Sequence, residues 1–314
     1  MRQFDPRRDL IAVADLVELC FAENLDIDSR RFIQRMRMAA QNPGLFGWRF
    51  ASPPRAFHPY SGYVWEQDGG IVGNLNLIQH PYRGGNRYII ANVSVHPDYR
   101  SRGIANTLTA EALRFLSKKG VVEVWLQVRQ NNPAAVKIYA NHGFREMARR
   151  TTWKSKSIHS TMDSTSEPMA GLKISTQSKK DWGQHRNWLS SVYPPDVKWL
   201  LPINFNAFRP GILGGMYRFV NDIRIKHWCL YQNGRLLGVI SWQASHRSAD
   251  YLWLAIPETN DKEVIAKLMP HVRKRMPRKR DMTIDFPGDR SVEALQDAGF
   301  KAQQTLIWMR LLLR

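Results

Sequence analysis

The sequence predicts a mixed α/β protein built from two similar halves. Its 314 residues are enough for two domains of roughly 150 residues each. Strand and helix patterns alternate along the first half, and the second half repeats their order. A hydrophobic content of 43% with 11 tryptophans indicates folded cores. We therefore expect domains at residues 1–156 and 172–314, joined by a Ser/Thr-rich linker at 157–171.

The composition restricts the class of protein without fixing its function. With 46 Lys and Arg against 27 Asp and Glu, the net charge is +19, which attracts nucleic acids, anionic membranes and phosphorylated ligands without discrimination. Cys20 and Cys229 lie in apolar surroundings without metal-ligand spacing, so we expect reduced thiols and no zinc. The chain start lacks a signal-peptide core, and no run reaches the ~18 apolar residues of a membrane span. These features predict a cytoplasmic protein that does not associate with membranes.

The first elements of the chain are two helices followed by a sheet. Apolar residues at helical spacing predict one helix opening at Asp9 and a second from about Asp28. Prolines and aromatic residues at 45–60 indicate a loop lying over a binding face. A hairpin follows at 63–77, and a further strand runs over 88–95.

The segment after this strand is the first candidate site. Val93 and Val95 alternate as strand residues do, Pro97 ends the strand, and a helix pattern begins at Ile104. A strand that turns directly into a helix presents free backbone N–H groups and a partial positive charge, which together form an anion site. An ordinary turn with solvated arginines is the alternative. The candidate anion-binding residues are Arg100, Ser101, Arg102, Gly103, Ile104 and Ala105.

A second segment of interest follows the next predicted strand, at 121–128. Asn132 and Pro133 have the form of a helix cap and first helical residue, and Gly143 ends this helix. Tyr139 in the same helix is either a core aromatic or a functional phenol. Asn132 can serve both as a cap and as a ligand contact.

These two segments together resemble a known family signature. Arg-x-x-Gly-x-Ala at 100–105 and Asn-x6-Tyr-x3-Gly-Phe at 132–144 resemble the acetyl-coenzyme A signature of the GCN5-related N-acetyltransferase (GNAT) family. The matches cover roughly residues 60–145. The resemblance implies two tandem acyl-CoA N-acyltransferase (GNAT) folds, each a mixed, mostly antiparallel sheet flanked by helices. It also implies that the sheet is splayed beside Val93 and Val95.

The family's activity is transfer of an acetyl group from acetyl-CoA to an amine by direct attack in a ternary complex. By resemblance, the backbone of Val93 and Val95 would hold the pantetheine arm, in the manner of an added strand. The amides of 100–105 would hold the pyrophosphate, and Asn132 would also contact the cofactor. Tyr139 would protonate the departing sulfur as general acid, releasing coenzyme A.

The general base is not assigned. No Asp or Glu lies between Tyr88 and His96, where family members often place a carboxylate. His96, Glu66 and His80 are candidates, and a water relay is equally compatible with the sequence.

The second half repeats the first but differs at the candidate site. Gly238, Pro257 and Gly299 repeat Gly73, Pro97 and Gly143, which sets the correspondence. A carboxylate at the glycine position would repel a pyrophosphate, so we expect one active site and a degenerate second domain without a cofactor site. The equivalents of Arg100, Gly103 and Ala105 are Asn260, Glu263 and Ile265, and those of Tyr139 and Asn132 are Leu295 and Gly288.

Three functions remain open at this point: an N-acetyltransferase, a non-catalytic acyl-CoA sensor, or a nucleic-acid-binding or ribosome-binding protein. The six basic residues of 273–280 are either a solvated helix end or an anion contact. Aromatic loops at 45–60 and 194–217 favour an apolar or peptide amine acceptor, although a small molecule is also compatible, and the charge disfavours polycations. A tandem chain could imitate a dimer, so we expect a monomer or weak homodimer.

Overall fold

A computed structural model describes residues 1–41, 61–82, 85–156 and 171–313. The predicted loop at 45–60 and nearly all of the predicted linker lie outside these residues. The chain forms two compact units. One comprises residues 1–147 and 307–314, and the other comprises 148–306.

The helices and strands follow the predicted alternation. In chain order the first part contains β1 (Arg2–Gln3), α1 (Pro6–Phe21), α2 (Ile27–Gln41), β2 (Gly62–Gln67), β3 (Gly70–Tyr82), β4 (Gly85–Val95), α3 (Ile104–Lys118), β5 (Glu123–Arg129), α4 (Pro133–Asn141) and β6 (Arg145–Ser155). The second part contains β7 (Leu172–Ser175), α5 (Trp182–Val192), α6 (Pro195–Lys198), α7 (Phe205–Phe208), α8 (Gly211–Val220), β8 (Ile225–Gln232), β9 (Arg235–Gln243), β10 (Ala249–Ala255), α9 (Asp261–Lys274), β11 (Asp281–Pro287), α10 (Val292–Asp297) and β12 (Lys301–Leu312).

The sheet of the first unit has the strand order β1-β2-β3-β4-β5, followed by the end of β12. The pairs from β1 to β4 are antiparallel, whereas β4 and β5 are parallel. Because parallel strands end at the same edge, α3 and α4 both begin at the edge where β4 and β5 finish. The two sequence signatures therefore lie at one end of this sheet.

The two helical layers of the first unit have separate apolar contacts. The predicted stripe of α3, Ile104, Leu108, Ala112 and Leu116, is entirely buried. The helices α1 and α2 bury their own stripe, Leu10, Val13, Ala14, Val17, Ile33 and Met36, in a second cluster. These stripes confirm the 3.6-residue periodicity of the three helices.

The predicted opening of the first helix at Asp9 is wrong by about one turn. The helix begins at Pro6, and the Asp5 side chain accepts a hydrogen bond from Arg7 N at 3.0 Å. Asp9 is instead buried inside the first turns and accepts from Arg2 at 2.6 Å. The Asp5-Pro6 pair has the typical chemistry of a helix cap followed by the first helical residue.

The second unit repeats the sheet arrangement, in the order β6-β11-β10-β9-β8-β7. Only β10 and β11 are parallel among the pairs whose register is defined in this unit. The region 194–217, predicted as a loop, contains the short helices α6, α7 and α8. Proline stands at the start of these helices rather than inside them, at Pro195 in α6 and at Pro210 just before α8.

The units differ from the predicted domains by their terminal strands. Residues 148–156 belong to the second unit, where Trp153 is buried in the core. Residues 307–314 belong to the first unit, where Ile307 and Met309 are buried. Each unit thus completes its core with a strand from the far side of the predicted boundary.

Candidate active site

The sheet of the first unit opens between β4 and β5. The two strands are paired only where Arg87–Ile90 faces Glu123–Leu126. Beyond Ile90, β4 contains a bulge opposite Asn74 and Asn76, and Asn92 in this bulge has a φ of 51°. Bulges bend a strand and increase its twist, which explains why the pairing ends here. Val93 and Val95 lie in the segment that faces no paired strand on the β5 side.

Buried asparagines support this bulge. Asn74 Nδ2 donates to Asn92 O at 2.9 Å and to Asn76 Oδ1 at 3.0 Å, and Asn92 Nδ2 donates to the same Oδ1 at 3.1 Å. Asn74 and Asn76 are fully buried, and the remaining Asn74 Oδ1 and Asn76 Nδ2 have no partner among the described residues. Buried polar atoms without partners are costly, so this cluster is a polar feature that the fold retains at the opening of the sheet.

The turn between β4 and α3 presents a row of free backbone donors. Among the described residues, none of the amides from Ser101 to Asn106 has a hydrogen-bond acceptor, and the first helical bond runs from Thr107 N to Gly103 O at 2.9 Å. Ser101 and Gly103 adopt left-handed conformations, with φ of 61° and 77°. Amides in such a turn at a helix N-terminus form an anion-binding concavity. The turn from Ser101 to Gly103 is exposed, so its donors are accessible.

The two arginines of this turn are tethered but stay exposed. Arg100 Nε donates to Val95 O at 3.3 Å, and Arg102 donates to Asp98 O at 2.9 Å. The Arg102 guanidinium also lies 5.0 Å from the centre of the Tyr99 ring. These contacts hold two positive charges beside the free amides.

The second signature segment lies next to the first. Asn132 Oδ1 accepts from Ala135 N at 3.1 Å, so its role as the cap of α4 is confirmed. His142, directly after α4, bonds Asn106 in the first turn of α3 through Nε2 at 3.0 Å. Tyr139 is buried, its hydroxyl bonds no described residue, and burial raises the pKa of Tyr139 to about 12. The phenol therefore stays protonated throughout the neutral range.

Two of the three candidate bases, Glu66 and His96, already accept hydrogen bonds from other groups. Glu66 accepts from Arg2 and Arg8 at 2.9 and 2.6 Å, and the Arg2 bond lowers the pKa of Glu66. His96 Nδ1 accepts from Asp98 N at 3.3 Å, which caps the turn. His80 is half-buried on β3. Within the described ranges no group of three or more His, Cys, Asp or Glu residues could hold a metal ion.

Comparison with known proteins finds a family match in the first part of the chain. The sequence model described as "Acetyltransferase (GNAT) family" matches residues 25–144. This match identifies a GNAT domain in this part of the chain. The ribosomal protein bS18-alanine N-acetyltransferase of Escherichia coli K12 is 37% identical over 62 residues, which are 20% of this chain and 42% of that protein. The N-alpha-acetyltransferase RimI of Mycobacterium tuberculosis is 34% identical over 104 residues, 31% of this chain and 64% of that protein. The chain thus spans less than two thirds of either relative.

Solved structures extend the likeness to the whole chain. A GCN5-related N-acetyltransferase from Sphaerobacter thermophilus has a TM-score of 0.58 at 14% identity, covering 100% of this chain and 96% of that one. A tandem GNAT protein from the clavulanic acid biosynthesis pathway has a TM-score of 0.52 at 16% identity, covering 99% and 98%. At this identity the likeness shows the fold alone. The predicted tandem GNAT fold is confirmed.

The second GNAT fold has no open turn at the corresponding place. A Cβ on Gly73 would lie 2.8 Å from Ile104 Cγ2, and one on Gly238 would lie 2.6 Å from Val264 Cγ1, so Ile104 corresponds to Val264. The helix α3 begins at Ile104, but α9 begins three residues earlier, at Asp261. Glu263 therefore occupies a helical turn where Gly103 forms part of the open loop.

The N-terminus of α9 is already occupied by a carboxylate. Asp261 accepts from Lys262 N at 2.7 Å, from Arg290 Nε at 2.9 Å and from the Ser291 hydroxyl. Burial would raise the pKa of Asp261, but the bonds from Ser291 and Arg290 outweigh it and lower the pKa. An internal anion thus occupies the helix terminus at which the first unit presents free amides.

The opening of the second sheet is filled as well. β10 and β11 are paired only from Ala249 to Tyr251, so Leu254 lies beyond the paired part. Its amide donates to the hydroxyl of Tyr193 at 3.2 Å, and Tyr193 is fully buried. A side chain of the protein takes the donor that an added strand would use.

Several side chains of the basic segment 273–280 make contacts within the protein. Arg273 donates to Ser155 Oγ at 2.6 Å and lies over the Phe300 ring at 5.1 Å. Arg278 and Arg280 lie 3.7 and 3.3 Å from the buried Asp250. Half of the six cations therefore have structural partners, which favours the interpretation of a helix end over that of an anion site.

Two features of the site were not found from the sequence. The buried Asn cluster has one sequence signal, the pair Asn74 and Asn76 within an otherwise apolar strand. The bond between His142 and Asn106 has none, because it joins residues 36 positions apart.

Proposed function

We propose that the chain is an N-acetyltransferase that transfers an acetyl group from acetyl-CoA to a primary amine. The observation that carries this proposal is the row of free amides from 101 to 106, with two left-handed residues, beside the open edge of β4. An anion-binding turn next to an unpaired strand edge fits a ligand with a diphosphate and an amide-bearing arm.

Each part of the substrate has a proposed contact on the chain. The amides of residues 101–106 hold the diphosphate, with Arg100 and Arg102 adding charge. The backbone of Val93 and Val95 holds the pantetheine arm, and Asn132 lines the site while capping α4. The first unit is thus the catalytic one, and the GNAT fold of the second unit has no acetyl-CoA site.

Tyr139 is proposed to donate a proton to the departing sulfur. Acetyl-CoA supplies an activated acyl group when bound, and holding the amine in line with it provides much of the rate. A buried phenol with a raised pKa remains a hydrogen-bond donor at neutral pH, as a general acid must. The proton of the attacking amine leaves to solvent, since no described side chain is assigned as base.

For the acceptor, we propose the N-terminal amine of a protein or peptide. The E. coli relative is an alanine N-acetyltransferase of ribosomal protein bS18, and the M. tuberculosis relative is an N-alpha-acetyltransferase. A peptide with a free N-terminal alanine is therefore the first acceptor to test, beside the same peptide with a blocked N-terminus and a polyamine.

The test is thiol release from acetyl-CoA by the full-length protein, with mass spectrometry of the peptide. The proposal predicts thiol release and one added acetyl group with the free peptide, and neither with the blocked peptide. Acetyl-CoA binding without transfer to any amine would instead support the sensor. No acetyl-CoA binding at all would overturn the site assignment.

A further inference from the structure

Helix α8 carries an apolar face that is turned to solvent. Phe219 is 88% exposed and Val220 is 77% exposed, which are unusual values for large apolar side chains. With ~100° per residue, the exposed residues fall on one stripe covering about a third of the helix circumference. The stripe consists of Ile212, Leu213, Met216, Phe219 and Val220.

The opposite face fixes α8 on the second unit. Gly214 is buried so closely against Arg209 O that a Cβ would overlap it. Tyr217 accepts a hydrogen bond from Asn204 Nδ2 at 2.6 Å, and Arg218 donates to the carbonyls of Ala207 and Arg209 at 2.9 and 3.0 Å. The helix is therefore held in one orientation, and its apolar stripe is presented outward.

Basic residues lie next to both ends of α8. Arg209 precedes the helix and is exposed, and the Lys179 ammonium lies 3.7 Å from the Cβ position of Gly211. Arg224 and Lys226 follow the helix and are exposed. Asp222 is the one acidic residue between 209 and 226. The segments that flank α8 are thus predominantly positive.

We propose that this face of α8 docks on an anionic lipid surface, with the apolar stripe inserted between headgroups that pair with the flanking cations. A short helix with an apolar face and basic borders has the character of an interfacial helix. Nucleic acid is a poor match, because the stripe offers no polar group for phosphates or base edges. This differs from the sequence-based expectation of no membrane association.

The experiment is co-sedimentation of the full-length protein with vesicles of phosphatidylcholine, alone or mixed with phosphatidylglycerol. We expect binding about tenfold tighter to the anionic vesicles, decreasing as salt is added. Phe219→Ser should weaken it about tenfold. Arg224→Glu should weaken the anionic preference. Ile27→Ser, at an apolar residue of α2 that is 59% exposed, is the control and should leave binding unchanged.

Circular dichroism and acetyl-CoA binding of each variant verify that the fold is retained. No binding of the wild type to anionic vesicles would overturn the proposal, as would binding that Phe219→Ser leaves unchanged. A dimer in sedimentation velocity that Phe219→Ser dissolves, without vesicle binding, would assign the face to a second copy of the chain and also overturn it.

Discussion

Tyr139 combines a functional position with a core environment. Its ring lies edge-to-face with Phe144, 6.0 Å between centroids, in the core of the first unit. Its hydroxyl, by contrast, has no partner among the described residues. Removal of that hydroxyl therefore separates the proposed chemistry from packing.

Tyr139→Phe should lower kcat about 100-fold while leaving acetyl-CoA affinity unchanged, since only the proposed proton donor is lost. Because the phenol has a pKa of about 12, the wild-type rate should not fall through its ionisation below pH ~11. Steady-state kinetics across pH and calorimetry measure both effects.

Tyr88→Phe is the matched control. Tyr88 is also buried, and its hydroxyl accepts from Lys119 Nζ at 2.6 Å in the paired part of β4. The kcat of the Tyr88→Phe variant should match that of the wild type. An unchanged kcat in Tyr139→Phe would exclude Tyr139 as the general acid.

A substitution at Asn74 tests whether the buried asparagine cluster stabilises the bulge in β4. Asn74→Ala removes the hydrogen bonds from Asn74 Nδ2 to Asn92 O and to Asn76 Oδ1, which should lower the free energy of unfolding by about 2 kcal/mol. As the bulge relaxes, acetyl-CoA affinity should fall too. Urea unfolding and calorimetry measure these changes. Asn221→Ala is the control: Asn221 is exposed, its side chain donates to Tyr217 O at 2.8 Å, and the change should shift stability by less than about 0.5 kcal/mol.

At the residue scale, the signatures were predictable because their spacing is local. Gly103, Asn132 and Tyr139 each occupy fixed steps along a turn or helix. The cluster of Asn74 and Asn92 could not be predicted from the sequence, because strand register determines which residues meet. The bulge in β4 changes that register by one position.

At the element scale, the Asp261 carboxylate at the N-terminus of α9 should make the stability of the protein depend on pH. The native pKa of Asp261 lies below its unfolded value of about 3.9, so its stabilisation is complete above that value. The stabilisation by Asp261 is lost as the pH falls through the native pKa of this carboxyl group. Asp261→Asn should therefore lower stability by about 2 kcal/mol at pH 7, with the difference shrinking below pH ~3.5. Urea unfolding across pH tests this, and a difference independent of pH would contradict it.

The strand β12 gives a second prediction at this scale. Ile307 and Met309 are buried in the first unit, and Leu313 N donates to Val122 O at 2.9 Å. A fragment of residues 1–156 should therefore be several kcal/mol less stable than the first unit of the full chain, since each lost side chain contributes about 1.5–3 kcal/mol. Thermal unfolding with and without acetyl-CoA measures this. A fragment that melts cooperatively at the full-chain temperature would contradict the assignment of β12.

The sequence could not have revealed this arrangement of the terminal strands. Helices and hairpins are recognised by local periodicity and turn residues, and those predictions were largely confirmed. The alternation of β6 and β12 suits either sheet equally, so only tertiary packing decides which core receives Trp153 and which receives Ile307.

At the scale of the whole molecule, the chain contains two GNAT folds that differ at the same two places. In the first unit the helix-terminal turn has free amides and the sheet edge is open. In the second, Asp261 and Tyr193 occupy these positions. The repeated order of elements was readable from the sequence, and so was the loss of the glycine. The residues that fill the second site were not, because they come from other segments of the chain.

The most direct test of one acetyl-CoA site in the first unit is calorimetric titration of the full-length protein with acetyl-CoA. Gly103→Glu is compared with Gly120→Glu, which has similar left-handed geometry and open space at the other end of α3. We predict one acetyl-CoA per chain for the wild type and Gly120→Glu, and none for Gly103→Glu. Two molecules per chain, or retained binding in Gly103→Glu, would contradict the account.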